Sequence, residues 1–125
     1  MVSTITRWQL DVDRGPGWLF IRLRPPSDSL EVDFDLAAQI WAMLTNHLTY
    51  RLVLEMDEVQ YMSSVLIGQL VLLQKRIHEH DGVLRLCGLS ARCQQTLHLC
   101  RLSDGLPNYE DRVEAVLGHN PGQPR

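Results

Sequence analysis

The residues most able to do chemistry are a serine pair, Ser63 and Ser64, in the stretch VQYMSSVLIGQLVLL from Val59 to Leu73. A serine becomes a nucleophile only beside a base. None of the five histidines stands at a spacing that assigns it to that role. Met62 rather than glycine precedes Ser63, so the G-x-S-x-G turn of the hydrolases is missing. The glycines form neither GxxxxGK nor GxGxxG, which excludes the common phosphate-binding loops. The carboxylate pairs Asp11/Asp13 and Asp33/Asp35 fall in strand or cap contexts and carry no acid/base signature. The chain therefore reads as a non-enzyme.

Metal chemistry fares no better. Cys87, Cys93 and Cys100 are odd in number and lack CxxC spacing, against both a disulfide framework and a zinc site. Cys93 and Cys100 are seven apart and share a helix face with Leu97, so buried thiols are expected. His98 adds no second ligand at metal spacing. His78 and His80 are two apart on a helix and do not face each other. His47 reads as a helix-end residue. No metal and no cofactor are expected.

Two roles remain for the serines. At a helix start the first backbone N–H groups lack intrahelical partners. A hydroxyl accepting from one of them is a cap worth about 1 kcal/mol. The same place tolerates a phosphoryl group, which brings roughly −1.5 to −2 charges to the positive end of the helix dipole. The fold would survive while the surface changes sign. Residue types alone leave cap and switch both open.

The elements that must position this pair follow from periodicity. Trp8 to Asp13 and Trp18 to Arg24 alternate around a turn-rich Asp13–Gly17, predicting an antiparallel hairpin, each strand with one wet face. Arg24 to Ser29 reads as a loop. A helix is expected from about Asp35 to His47, with Leu36, Ile40, Met43 and Leu44 at helical spacing and Asp33 or Asp35 as cap. Arg51 to Met56 has the continuous apolar centre of a strand covered on both faces, with Val59 and Tyr61 finishing the strand region. Leu66, Leu70, Leu73 and Ile77 then mark a broad buried helical stripe. Gln69, Gln74, Lys75, His78 and His80 fall mostly outside it. Val83 to Cys87 is another strand. Ser90 caps a helix to about Cys100, Tyr109 ends a short strand or loop, and Arg112 to Leu117 is a last helix.

This order predicts one α/β domain over residues 1–117: a mixed sheet of four to five strands flanked by about four helices. Residues 118–125 read as a tail. With 45% apolar and 22% charged residues over 125 positions, a single core is sufficient. The formal charge of −3 comes from interspersed signs, and no basic cluster marks a nucleic-acid footprint. The apolar run Val65–Leu73, broken by Gln69, is far short of the roughly 20 residues of a bilayer span. No secretory signal is read at the N-terminus, so a cytoplasmic location is expected.

From Arg51 to Ala115 the sequence resembles the STAS domain, the family of bacterial anti-sigma factor antagonists. The resemblance runs through RLVLEMDEVQYMSSVLIGQLVLL, where the family carries a strand, a bend, then aromatic-x-Asp-Ser-Ser-Gly-x-Gly at a helix start. It continues through DGVLRLCGLSARCQQTLHLCRLSDGLPNYEDRVEAV. Residues 1–50 match by layout. Tyr61 takes the aromatic place and Gly68 the final glycine; Ser63 stands at the aspartate and Ser64 at the phosphorylated serine. Val65 replaces the second serine and Leu66 the first glycine, and Glu55 falls where the preceding strand carries an acid. The resemblance implies a transcription regulator that is not an enzyme. Its phosphoacceptor would be Ser64, with Ser63 second. Met62, Ser63, Ser64, Val65, Leu66 and Ile67 would bind an anti-sigma factor, a serine kinase of the histidine-kinase-like ATPase type. A metal-dependent PP2C-type phosphatase would reverse the modification. It implies no direct nucleic-acid contact and no membrane insertion. The rival implication is an unmodified interaction subunit of a larger signalling or transport assembly.

Overall fold

The computed structural model describes residues 8–25 and 35–118. The chain opens with β1 (Gln9–Gly15) and β2 (Trp18–Arg24), an antiparallel pair with Gln9 opposite Arg24 and Gly15 opposite Trp18. Pro16 and Gly17 make the turn between them. Proline presets one corner and Gly17 supplies the positive φ of 77° that the next corner needs. Then follow α1 (Leu36–Asn46), β3 (Arg51–Glu55), α2 (Ser64–Glu79), β4 (Val83–Cys87), α3 (Ala91–Leu99), β5 (Asn108–Tyr109) and α4 (Arg112–Leu117).

The sheet runs β1-β2-β3-β4-β5 in sequence order, and every pairing after the hairpin is parallel. Crossovers of one hand that always step the same way put their helices on one face. Accordingly α1, α2 and α3 share a core with Leu19, Ile21 and Leu23 of β2, Leu52 and Leu54 of β3, and Leu84 and Leu86 of β4. The alternate residues Trp18, Phe20, Val53 and Cys87 face the other way and meet Ala115 of α4. The expected fold class is therefore correct, with three helices against one.

Several local expectations need correction. β2 is buried on both faces, not half wet, because α4 covers Trp18 and Phe20. The β3 strand stops at Glu55; Val59 and Tyr61 lie in the loop beyond it. Asp35 occupies the N-cap position of α1 but makes no capping hydrogen bond with its side chain. The cap comes from a distance instead: the Ala37 N–H donates to Gln69 Oε1 of α2 at 2.8 Å. Gln69 thus ties the first turn of α1 to α2. Asp33, Pro26 to Ser29 and, of the expected tail 118–125, residues 119–125 lie outside the described residues.

One buried charge stands out. Glu55, 5% exposed, ends β3 and receives Arg112 twice, Nε to Oε2 at 2.7 Å and Nη2 to Oε1 at 3.0 Å. Arg22 Nε lies 3.6 Å from Oε1. Arg112 also donates to Asp13 Oδ2 at 2.7 Å and lies 4.4 Å over the Phe20 ring. Arg85 holds the other end of α4, donating through Nη1 to the Ala115 carbonyl at 2.8 Å. Two arginines thus fasten a helix too short to persist alone.

Three outcomes follow for stability. Removing Arg112 strands the Glu55 carboxylate; the half-open position of Arg112 and the remaining Arg22 contact reduce the usual 3–5 kcal/mol, so Arg112→Ala should cost about 2–3 kcal/mol in urea denaturation. The hydrogen bond from Arg112 also holds the Asp13 carboxyl below its ordinary 3.8. A carboxyl lowered in the folded state adds stability above its unfolded value and loses it as pH falls through the folded one. Asp13→Asn should therefore flatten the loss of stability below about pH 4, measured by melting at stepped pH. In α2, an added Cβ at exposed Gly68 would meet none of the described residues within 4 Å. Gly68→Ala should then raise stability by about 0.5–1 kcal/mol in the same denaturation assay.

Candidate functional site

The serine pair sits where the chain leaves the carboxyl end of β3 and enters α2, the end of a parallel sheet where ligands and partners commonly meet α/β proteins. The intervening loop is pinned from below. The Met56 N–H donates to the Cys87 carbonyl at 2.8 Å, and the Val59 N–H turns back to Met56 at 3.0 Å. The Cys93 thiol of α3 lies 3.6 Å from the Val59 carbonyl. Val59 and Met62 enter the core.

At the helix start the two serines separate. Ser63 is the N-cap, with φ −74° and ψ 162°, and its Oγ accepts from the Leu66 N–H at 3.1 Å. Ser64 is the first helical residue and is exposed. One hydroxyl is used by the fold and the next is offered to solvent. Of the other residues expected on this surface, Val65 and Ile67 are half-buried. Met62 and Leu66 are 4% and 3% exposed and lie beneath the surface, so they support the site without presenting a face. Met62 at N′ and Ile67 at N4 both pack on the same core, the residue pattern of a hydrophobic staple.

The surroundings set the electrostatics. The first turn of α2 contains no acid. The nearby loop carboxylates are matched by cations from β2: Arg22 Nη1 lies 3.8 Å from Asp57 Oδ1, and Arg24 bonds both Asp11 and, at 3.1 Å, Glu58. Gly88, at φ 74°, lets the end of β4 pass Asp57; a Cβ there would stand 2.5 Å from the carboxylate oxygen. Tyr61 is 65% exposed, and the guanidinium of Arg92, in the first turn of α3, lies 5.8 Å from its ring centre. Glu55, the acid of the preceding strand, is committed to Arg112.

The cysteines divide differently from expectation. Cys93 is fully buried. Cys87 is also buried, and burial, then the neighbouring Glu55, Asp57 and Asp111 carboxylates, push its thiol up to about 12. Cys100 is exposed, because α3 ends at Leu99 and its C-cap residue turns outward. No group of three His, Cys, Asp or Glu side chains among the described residues could hold a metal. Periodicity missed two clusters: Tyr61 with Arg92, and the stack of Trp41, Tyr50 and His80 with Arg76 lying 4.9 Å over Trp41. Both join residues far apart in sequence, and no local pattern announces them.

No described helix is long and apolar enough to cross a membrane. Comparison with known proteins gives a consistent assignment. The STAS domain family model matches residues 12–115. Among solved structures, an anti-sigma-factor antagonist (STAS) domain protein from Planctomyces limnophilus superposes with a TM-score of 0.70 at 23% identity, over 87% of this chain and 96% of that one. An anti-sigma factor antagonist from Mycobacterium paratuberculosis gives 0.70 at 17% identity, over 89% and 92%. The anti-sigma factor antagonist SpoIIAA in its unphosphorylated form gives 0.63 at 14% identity, over 89% and 98%. No curated protein matches the sequence significantly. With its serine-bearing helix start, its single mixed sheet and a family match over most of its length, the chain belongs to the STAS domain family.

Proposed function

We propose that this chain is a cytoplasmic, bacterial anti-sigma factor antagonist whose surface around Ser64 binds an anti-sigma factor, a serine kinase of the histidine-kinase-like ATPase type. It acts as the substrate of that kinase and performs no catalysis itself. Phosphate on Ser64 weakens the complex, and a PP2C-type phosphatase restores it. The release of a sigma factor is thereby controlled through protein contact, without contact between this chain and nucleic acid.

The observation that supports this reading best is the split between the two hydroxyls. Ser63 caps α2 and is held by the Leu66 N–H, whereas Ser64 is exposed at the first helical position. A phosphoryl group on Ser64 meets the positive end of the α2 dipole and leaves the cap intact. Modification therefore changes the surface without unfolding the helix. Loss of the family's aspartate at Ser63 leaves the cap in place, since serine and aspartate are both strong N-cap residues.

The test uses the purified ATPase-type serine kinases of the source genome. Each is incubated with this chain and ATP, and the phosphate is mapped by mass spectrometry. Modification is expected at Ser64 and should vanish in Ser64→Ala, which still binds the kinase. Ser64→Asp should bind at least about tenfold more weakly, a difference of about 1.4 kcal/mol. Ser63→Ala should cost about 1 kcal/mol of stability by loss of the cap while Ser64 is still modified. Equal binding by wild type and Ser64→Asp would end the electrostatic switch.

A further inference from the structure

α4 is apolar almost all the way round, although one side of it faces outward. Its six residues include Val113, Ala115, Val116 and Leu117. Ala115 is fully buried in one cluster with Trp18, Phe20 and Val53 of the sheet. Val113 and Leu117, one turn apart, are 60% and 67% exposed on the outward face, and half-buried Val116 flanks them. Apolar residues at i, i+3 and i+4 are the pattern of a helix face that is covered. Among the described residues, no other helix exposes two large apolar side chains one turn apart. Leu72 on α2 and Leu99 on α3 are single exposed leucines, which are ordinary on a protein surface.

Charge decides what covers this face. The start of α4 is acidic: Glu110 and Asp111 are exposed and Glu114 is half-buried. The neighbouring cation, Arg112, is committed to Glu55 and Asp13. The end of α4 is cationic. Arg85 donates to the Ala115 and Val116 carbonyls at 2.8 and 3.3 Å and offsets the negative end of the helix. Exposed Arg51 shares the Trp18 ring with Arg85, 6.0 Å from the ring centre, and has no carboxylate partner among the described residues. Asp81, in the turn before β4, is an acid towards that end and pairs with neither arginine. The other cations on this side of the sheet, Arg22 and Arg24, are matched with carboxylates. A helix with an acidic start and a cationic end complements a reversed copy of itself.

We infer that the outer face of α4 is a dimer interface, occupied by the same face of a second copy of this chain. In a two-fold contact every residue pair occurs twice. Antiparallel packing sets Val113 against the partner's Leu117, and Leu117 against the partner's Val113. It also brings Glu110 towards the partner's Arg51 at both ends and opposes the two helix dipoles. Parallel packing would gather the acids of both copies at one end, where like charges repel. α4 lies across the sheet from α1, α2 and α3, so the contact leaves both Ser64 surfaces open. Dimerisation therefore stands or falls independently of the kinase reading.

Analytical ultracentrifugation of the purified full chain over a concentration series is the test. Expected is a reversible wild-type dimer, weakened at least about tenfold by Leu117→Gln and unchanged by Leu72→Gln on α2. Both leucines are exposed and glutamine is a good helix former, so both variants should keep the wild-type circular dichroism. Arg51→Glu and Glu110→Arg should each weaken self-association at least about tenfold. Mixed in equal amounts, these two variants should form a heterodimer about as tight as wild type, because both contacts regain opposite charges. Mixing could not rescue a fold damaged by either substitution. A wild type that stays monomeric into the millimolar range would overturn the dimer. Unchanged association of Leu117→Gln, or loss of the dimer in Leu72→Gln, would overturn this face. A mixture that associates no more tightly than either variant alone would overturn the antiparallel packing.

Discussion

Burial of Met62 and Leu66 on either side of the serine pair is the constraint on which the rest depends. Both enter the same core, and Leu70, Leu73 and Ile77 continue the stripe down α2. Successive helical residues turn by about 100°, so Ser64, two positions before inward Leu66, points about 200° away from it. Met62, before the cap, anchors the incoming chain in the same core. The exposure of Ser64 follows from these apolar anchors and needs no polar contact of its own.

The departures from the family pattern acquire physical sense in this frame. Ser63 in place of aspartate keeps an oxygen acceptor over the Leu66 N–H, so the cap persists while a fixed negative charge beside Ser64 is lost. Leu66 in place of glycine becomes a core anchor, and full burial of a leucine is worth roughly 1.5–3 kcal/mol. The helix start is thereby held more firmly by packing and less by charge. The first turn of α2 holds no carboxylate beside Ser64.

Much of this was legible from sequence because it depends on local periodicity. The β3 strand, the α2 stripe and the Ser90 cap, whose Oγ accepts from the Cys93 N–H at 3.1 Å, all follow from residues within a few positions of one another. The exposed Ser64 follows from the same stripe. Long-range pairing was not legible. The second buried face of β2 exists because α4, far along the chain, returns to cover Trp18 and Phe20. Glu55 is tolerable inside because Arg112 reaches it, with Arg22 beside it. The cap of α1 is Gln69, a polar residue that periodicity placed outside the buried stripe. Leu66 belongs to the buried stripe that periodicity marks, whereas the burial of Met62, which precedes the helix, has no periodic signal.

The two sides of the sheet use arginine for different ends. Against α4, guanidinium groups satisfy a buried carboxylate and helix-end carbonyls, so their charge is spent within the fold. On the helical layer, Arg92 and Arg76 rest on aromatic rings, an attraction to the ring quadrupole that leaves the cation able to attract an anion. Such groups are oriented in advance, so less side-chain freedom remains to be lost than for an arginine free in solvent. The distinction separates stability from recognition in one small molecule. Short α4 needs its ion pairs to remain docked, while the long amphipathic α2 is held by its apolar stripe. That leaves the outer surface of α2, including Ser64, to vary in charge at little cost to the fold.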